Sequence, residues 1–170
     1  MSTNPIYMTL TGVERLRRQL AAKLSEHAQL CQERTTAHAL SGDGWHDNPY
    51  HDRLQQLEAE KTREIVAMQQ QLDVSRIINI DPNLRPTDQV RVGSLVTLSI
   101  EDEQGEERKA NWEIAGFGET DVTRRKLGYN TPLAQAVMQE AAGGVVTAVL
   151  PNGPVVITVL ALHLSWEAVQ

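Results

Sequence analysis

Two hydrophobic periods divide the chain. In the first half, Val13, Leu16, Leu20 and Leu24 recur every three or four positions. Leu30 and Cys31 continue the series more weakly, with Arg, Lys, Glu and Gln between. This is a narrow apolar stripe on a charged helix. Thr11 and Glu14 fit a capping box at its start, each side chain satisfying a free amide. Ser41-Gly42-Asp43-Gly44 ends the segment with strong turn chemistry. Asn48-Pro49 opens a second helix, Asn as N-cap and Pro at the first helical position. Its stripe is Tyr50, Leu54, Leu57, Ile65, Met68 and Leu72, interrupted by Lys61. Neither stripe can be buried alone. Two helices of about 28 residues, each roughly 40 Å long, pack as an antiparallel hairpin of coiled-coil type. The hairpin is expected over 1–78, with its tip at 41–48.

Asn79 to Asp88, with Pro82, Asn83 and Pro86, opposes helix and marks a linker over 79–90. The period then falls to two. Val96, Leu98 and Ile100 alternate with Thr97 and Ser99, as a half-buried strand does. An acidic turn follows around Gly105. Alternation resumes from Arg108 to Ala115, with Trp112 and Ile114 on one face. Pro132 to Glu140 has helical character, with Thr131 as N-cap. Val145 to Leu150 and Val155 to Leu162 are joined by Pro151-Asn152-Gly153-Pro154, a hairpin signal. Residues 91–170 thus predict a small β-sheet domain with one short helix, and the chain as a whole reads as α+β.

Composition narrows the function. Aromatic residues are only 4% of the chain, which suits an elongated aliphatic part. The formal charge is −6 and the pI about 5.3. A duplex-DNA binder shows a basic face; none is apparent, so independent duplex binding is not expected. The balance suits a protein partner or a metal-linked role. Arg15, Arg17 and Arg18 read as a solvated face, with RNA contact as the alternative. Cys31, the sole cysteine, permits no intrachain disulfide and reads as a small buried hydrophobe. Met1 to Asn4 are polar and no apolar run follows, so no signal peptide is expected. No segment approaches the roughly 18 apolar residues of a membrane span. The expected location is cytoplasmic, without membrane contact. His46 and His51 with Asp43, Asp47 and Asp52 match no zinc-ligand spacing. No nucleophile–base pair, phosphate loop or dinucleotide motif is present, so the chain is not expected to be a self-sufficient enzyme.

Three stretches carry a family resemblance. Met8-Thr9-Leu10-Thr11-Gly12-Val13-Glu14-Arg15-Leu16 leads into the first helix. Gly42-Asp43-Gly44-Trp45-His46-Asp47-Asn48-Pro49-Tyr50-His51 forms the tip. Asn130-Thr131-Pro132-Leu133-Ala134 opens the short helix, and Gly93 to Leu98 opens a strand. In order, spacing and position these resemble the bacterial Gre family of transcript cleavage factors across nearly the whole chain.

The resemblance implies an FKBP-like second domain and a bacterial RNA polymerase as partner. It implies a hairpin that enters the polymerase's secondary channel and reaches the nascent RNA 3′ end. The polymerase itself then cuts the backtracked RNA, and two tip carboxylates help hold a Mg²⁺ shared with its active site. Asp43 matches the family's first tip acid. The second acid falls on His46, and Asp47 follows at once. The expected catalytic set is therefore Asp43, Asp47 and His46, with Asp43 and Asp47 toward the metal. Trp45, Asn130, Thr131, Pro132 and Leu133 are the expected polymerase contacts. Other readings stay open at the tip. Asp43 between two glycines also suits a turn, Asp47 a helix N-terminus, and His46 a solvated loop. Trp45 also suits packing back on the hairpin, and Tyr50 belongs to the seam. The His46 departure leaves a second function open, a secondary-channel regulator that does not promote cleavage. A generic interaction protein using the hairpin as an arm is the third.

Overall fold

The computed structural model describes residues 5–41, with side chains through 39, and 49–169. The elements run β1 (Ile6–Thr9), α1 (Leu10–Ser41), α2 (Pro49–Asp73), β2 (Ser75–Ile78), β3 (Leu95–Asp102), β4 (Glu107–Ala115), β5 (Lys126–Gly128), α3 (Pro132–Val137), β6 (Val145–Leu150) and β7 (Gly153–His163). Two compact units emerge: Met1–Ile6 with Val13–Ser75, and Tyr7–Gly12 with Arg76–Gln170.

The first unit is the helical hairpin. α1 has 32 residues and α2 has 25, or about 48 and 38 Å at the helical rise. Pairings run in opposite directions along the two helices: Lys23 with Glu64, His27 with Thr62, Arg34 with Glu58 and Glu33 with Tyr50. That order makes the pair antiparallel. α1 is described to Ser41, and Pro49 is the first residue of α2.

The seam differs from the expected stripe. Val13, Leu16, Leu54 and Ile65 are buried, but Leu24, Leu57 and Tyr50 are exposed. Cys31 is only half-buried. The middle of the hairpin is instead laced by charged and polar side chains. Such pairs are worth little individually at a solvent-open seam, so burial at Leu54 and Ile65 carries more of the packing.

The second unit holds a five-stranded sheet in the order β5-β4-β3-β7-β6. β3 pairs antiparallel with β4 (Val96 opposite Trp112) and with β7 (Leu98 opposite Val159), with an irregularity between Thr97 and Leu98. β6 and β7 form the expected hairpin, Val146 opposite Ile157. β5 joins the other edge in parallel, Ile114 opposite Leu127. The core is Val90, Val96, Leu98, Ile114, Leu127, Ala134, Val137, Ile157 and Val159. Each large aliphatic member contributes about 1.5–3 kcal/mol on burial. Residues 79–90 lie in this unit, where Val90 N donates to Glu140 O and Gln139 N donates to Val90 O, both at 2.8 Å.

The start of α1 also belongs to this unit, and its cap is not the expected Thr11–Glu14 box. Thr9 Oγ1 accepts from Gly12 N at 3.1 Å, which makes Thr9 the N-cap. Glu119, from the loop after β4, completes the motif. Its carboxylate accepts from Thr9 N at 2.7 Å and from Thr9 Oγ1 at 2.9 Å. A distant carboxylate thus does what a local Glu does in a capping box. Phe117 N donates to Tyr7 O and Tyr7 N to the Tyr129 hydroxyl, stitching β1 to the same loop region.

The close approach of Glu119 requires glycine at two positions. A Cβ on Gly12 would stand 2.0 Å from Glu119 Oε1, and one on Gly116 would stand 2.6 Å from the same atom. Gly12→Ala should therefore destabilise the chain by about 1–3 kcal/mol, as overpacking does. Combined with Glu119→Ala, it should cost clearly less than the two single losses together, because both act on one carboxylate. Chemical denaturation of the four variants measures this; additive losses would contradict the shared contact.

Candidate functional site

The tip acids Asp43 and Asp47, with Trp45 and His46, lie outside the described residues. The helices that carry the tip are described up to it. Near the tip, the Tyr50 hydroxyl donates to Glu33 Oε1 across the hairpin, and the Glu33 carboxylate pushes the Tyr50 phenol up from its ordinary pKa. Tyr50 thus joins the helices through its hydroxyl, while its ring stays exposed, not seated in the seam as expected. The rings of His38 and His51 lie 5.9 Å apart, and Arg34 and Thr35 line the same hollow. His51 Nδ1 is 3.7 Å from Asp52 Oδ1.

Further down, cross-helix ion pairs hold register. Lys23 Nζ is 2.7 Å from Glu64 Oε2, and Lys61 pairs with Glu26. The lysines hold the Glu64 and Glu26 carboxyls below the usual range, and Glu64 raises Lys23. Arg17 and Arg18 are exposed, which suits the solvated-face reading for both.

The expected docking segment in the second unit is well defined. Asn130 Oδ1 accepts from Gly118 N at 2.7 Å. Thr131 donates from its hydroxyl to Gly128 O at 2.8 Å and caps α3 by accepting from Ala134 N. Pro132 opens α3 and is exposed, while Leu133 packs against the core. Each residue has a structural task that fixes the loop's shape, and Pro132 presents that loop to solvent.

Two groups escaped the sequence reading. The first is Arg85 with Glu113, a buried pair in the second unit. Arg85 Nη2 is 2.7 Å from Glu113 Oε2, and Nη1 donates to Gly93 O at 2.9 Å. Lys126 Nζ approaches the other Glu113 oxygen at 3.3 Å. The second is a polar cluster on the seam, His27, Cys31 and Glu58, whose donor atoms lie within 4.8 Å of one another. Spacing showed His27 and Cys31 one helical turn apart, but nothing in α2 marked Glu58 as their neighbour.

These two units define a class: a helical hairpin with an acidic tip sequence, joined to a small sheet domain. Residues 85–164 match the family model for the transcription elongation factor GreA/GreB C-terminal domain. The chain is 30% identical over 162 residues to the transcription elongation factor GreA of Chloroflexus aurantiacus, covering 94% of this chain and 98% of that protein. The GreA of a Roseiflexus species gives the same identity and coverage. Among solved structures, the GreA factor homolog 1 of Thermus thermophilus is 20% identical with a TM-score of 0.44, covering 94% of this chain and 99% of that one. The chain belongs to the GreA/GreB family of transcription elongation factors.

Proposed function

We propose that the protein binds bacterial RNA polymerase, with its hairpin in the secondary channel, and stimulates cleavage of backtracked RNA at the polymerase's own active site. The observation that carries this reading is the relationship to GreA factors along nearly the full length of both chains. The physical features agree with it. Cross-helix bonds hold the two long helices in register along their described length. A net charge of −6 suits a protein partner better than free nucleic acid.

Asp43 and Asp47 supply the hard oxygen donors that Mg²⁺ prefers, and that ion commonly takes only one or two carboxylates. When bound beside a first metal, such an ion stabilises the attacking and leaving oxygens of a displacement. The chain's own contribution is to deliver and orient the two carboxylates. His46 is a poor Mg²⁺ ligand, so its role is to orient water or to contact phosphate near the RNA 3′ end. Trp45 contacts the channel wall, and Asn130 to Leu133 dock the sheet domain at the rim. The protein is then an accessory factor of the cytoplasmic polymerase rather than an enzyme.

His46 at the family's second-acid position favours one alternative, a secondary-channel regulator that occupies the site without promoting cleavage. Titration of core polymerase with labelled protein tests the shared premise. Saturable one-to-one binding, with competition by a GreA factor, is expected; no binding would overturn both readings.

A further inference from the structure

We propose that His27, Cys31 and Glu58 form a zinc-binding site that staples the two helices of the hairpin at mid-length. His27 and Cys31 stand four residues apart on α1 and so share one helix face. Cys31 Sγ lies 3.7 Å from His27 Nδ1. Tetrahedral zinc with sulfur and nitrogen at their usual bond lengths sets its ligand atoms roughly 3.3–3.8 Å apart, so this pair already has the required separation. Glu58 comes from α2, and the three donor atoms lie within 4.8 Å of one another. Closing that gap takes about 1 Å of side-chain movement.

The donor set is specific. One thiolate, one imidazole and one carboxylate suit zinc and disfavour Mg²⁺ or Ca²⁺, which demand oxygen. Glu58 Oε2 is itself buried at the seam, beside the other two donors. Arg34 Nε approaches that oxygen at 3.0 Å as a charge partner without hydrogen-bond alignment. Arg34 is therefore the competitor for Glu58, and its half-exposed side chain is free to swing away when the metal binds. Thr62, 3.1 Å from His27 Nε2, is placed to receive that N–H and leave Nδ1 for the metal, as partners behind metal-bound histidines commonly do.

Three protein ligands leave a fourth position for water or a partner's donor. Among the described residues no fourth His, Cys, Asp or Glu joins the group. The site lies within the hairpin and away from the tip sequence, and it does not rest on the polymerase reading.

The test is titration of the reduced full chain with Co²⁺, then displacement by Zn²⁺. One equivalent of Co²⁺ should give a thiolate-to-metal absorption band that Zn²⁺ abolishes. Cys31→Ser should remove the band. His27→Ala and Glu58→Gln should each weaken binding, His27→Ala by about 100-fold or more, since even outer-shell changes cost 10–100-fold. Arg34→Gln should tighten it. Zn²⁺ should also raise the melting temperature of the wild type and leave that of Cys31→Ser unchanged. No sulfur band at stoichiometric Co²⁺, or a band that survives intact in His27→Ala, would overturn the proposal.

Discussion

Glu113→Ala should destabilise the sheet domain by about 3–5 kcal/mol, the usual result of removing one partner from a buried ion pair. The side chains of Arg85 and Glu113 are 4% and 9% exposed, so water cannot replace the lost carboxylate. Arg85 would keep a single hydrogen bond, to Gly93 O, and its Nε already lacks a partner among the described residues. Lys126 would lose its counter-charge too. Against a typical stability of about 5–15 kcal/mol for a whole domain, this is a severe loss, and a fall in Tm of more than about 10 °C should accompany it. Arg85→Met with Glu113→Leu should recover much of the stability, because neither charge then needs desolvating. Urea denaturation of the three chains decides the matter. A loss below about 1 kcal/mol for Glu113→Ala would mean that the pair behaves as a surface one.

Asp43→Ala and Asp47→Ala should each reduce stimulated RNA cleavage by at least about tenfold, while leaving polymerase binding nearly unchanged. Under the proposed function each acid is a direct metal ligand, and losing one should cost no less than the loss of an outer-shell partner. Binding, under the same proposed function, is carried largely by the docking segment Asn130 to Leu133, so the affinity has little reason to follow. His46→Glu restores an acid where the family carries its second one and should raise cleavage above wild type if Asp47 is imperfectly placed. Cleavage rates in stalled complexes, with the affinity measured in parallel, separate the two effects. Equal losses in both quantities would make the acids binding residues instead. Unchanged cleavage in Asp47→Ala alone would leave Asp43 as the only working tip acid.

The parts of this fold that were legible in the sequence are those set by local chemistry. Pro49 begins α2, as its fixed φ favours. Alternation at Val96 to Ile100 and Val155 to Leu162 marks central strands. Thr131 caps α3 as its hydroxyl suggests. What escaped depends on distant partners. Leu24 points outward because Lys23 and His27 face α2, where Glu64 and Thr62 receive them. The cap of α1 moved to Thr9 because Glu119, 110 residues away, supplies the carboxylate. Alternation assigns Glu113 to the polar face of β4, and nothing local shows that Arg85 and Lys126 cover it there. β5 is three residues long with one buried aliphatic, Leu127, and backbone pairing to β4 and to Asp121 defines it. Of the candidate site, the identity of the tip acids came from family resemblance, not from any spacing rule.

The most direct measurement is RNA cleavage in stalled, backtracked elongation complexes with Mg²⁺, with and without saturating wild-type protein. The proposed function predicts shortened RNAs with new 3′ ends that appear faster when the protein is present and that still resume elongation. Unchanged RNA length and cleavage rate with the protein demonstrably bound would contradict it and leave a regulator that fills the channel without cutting.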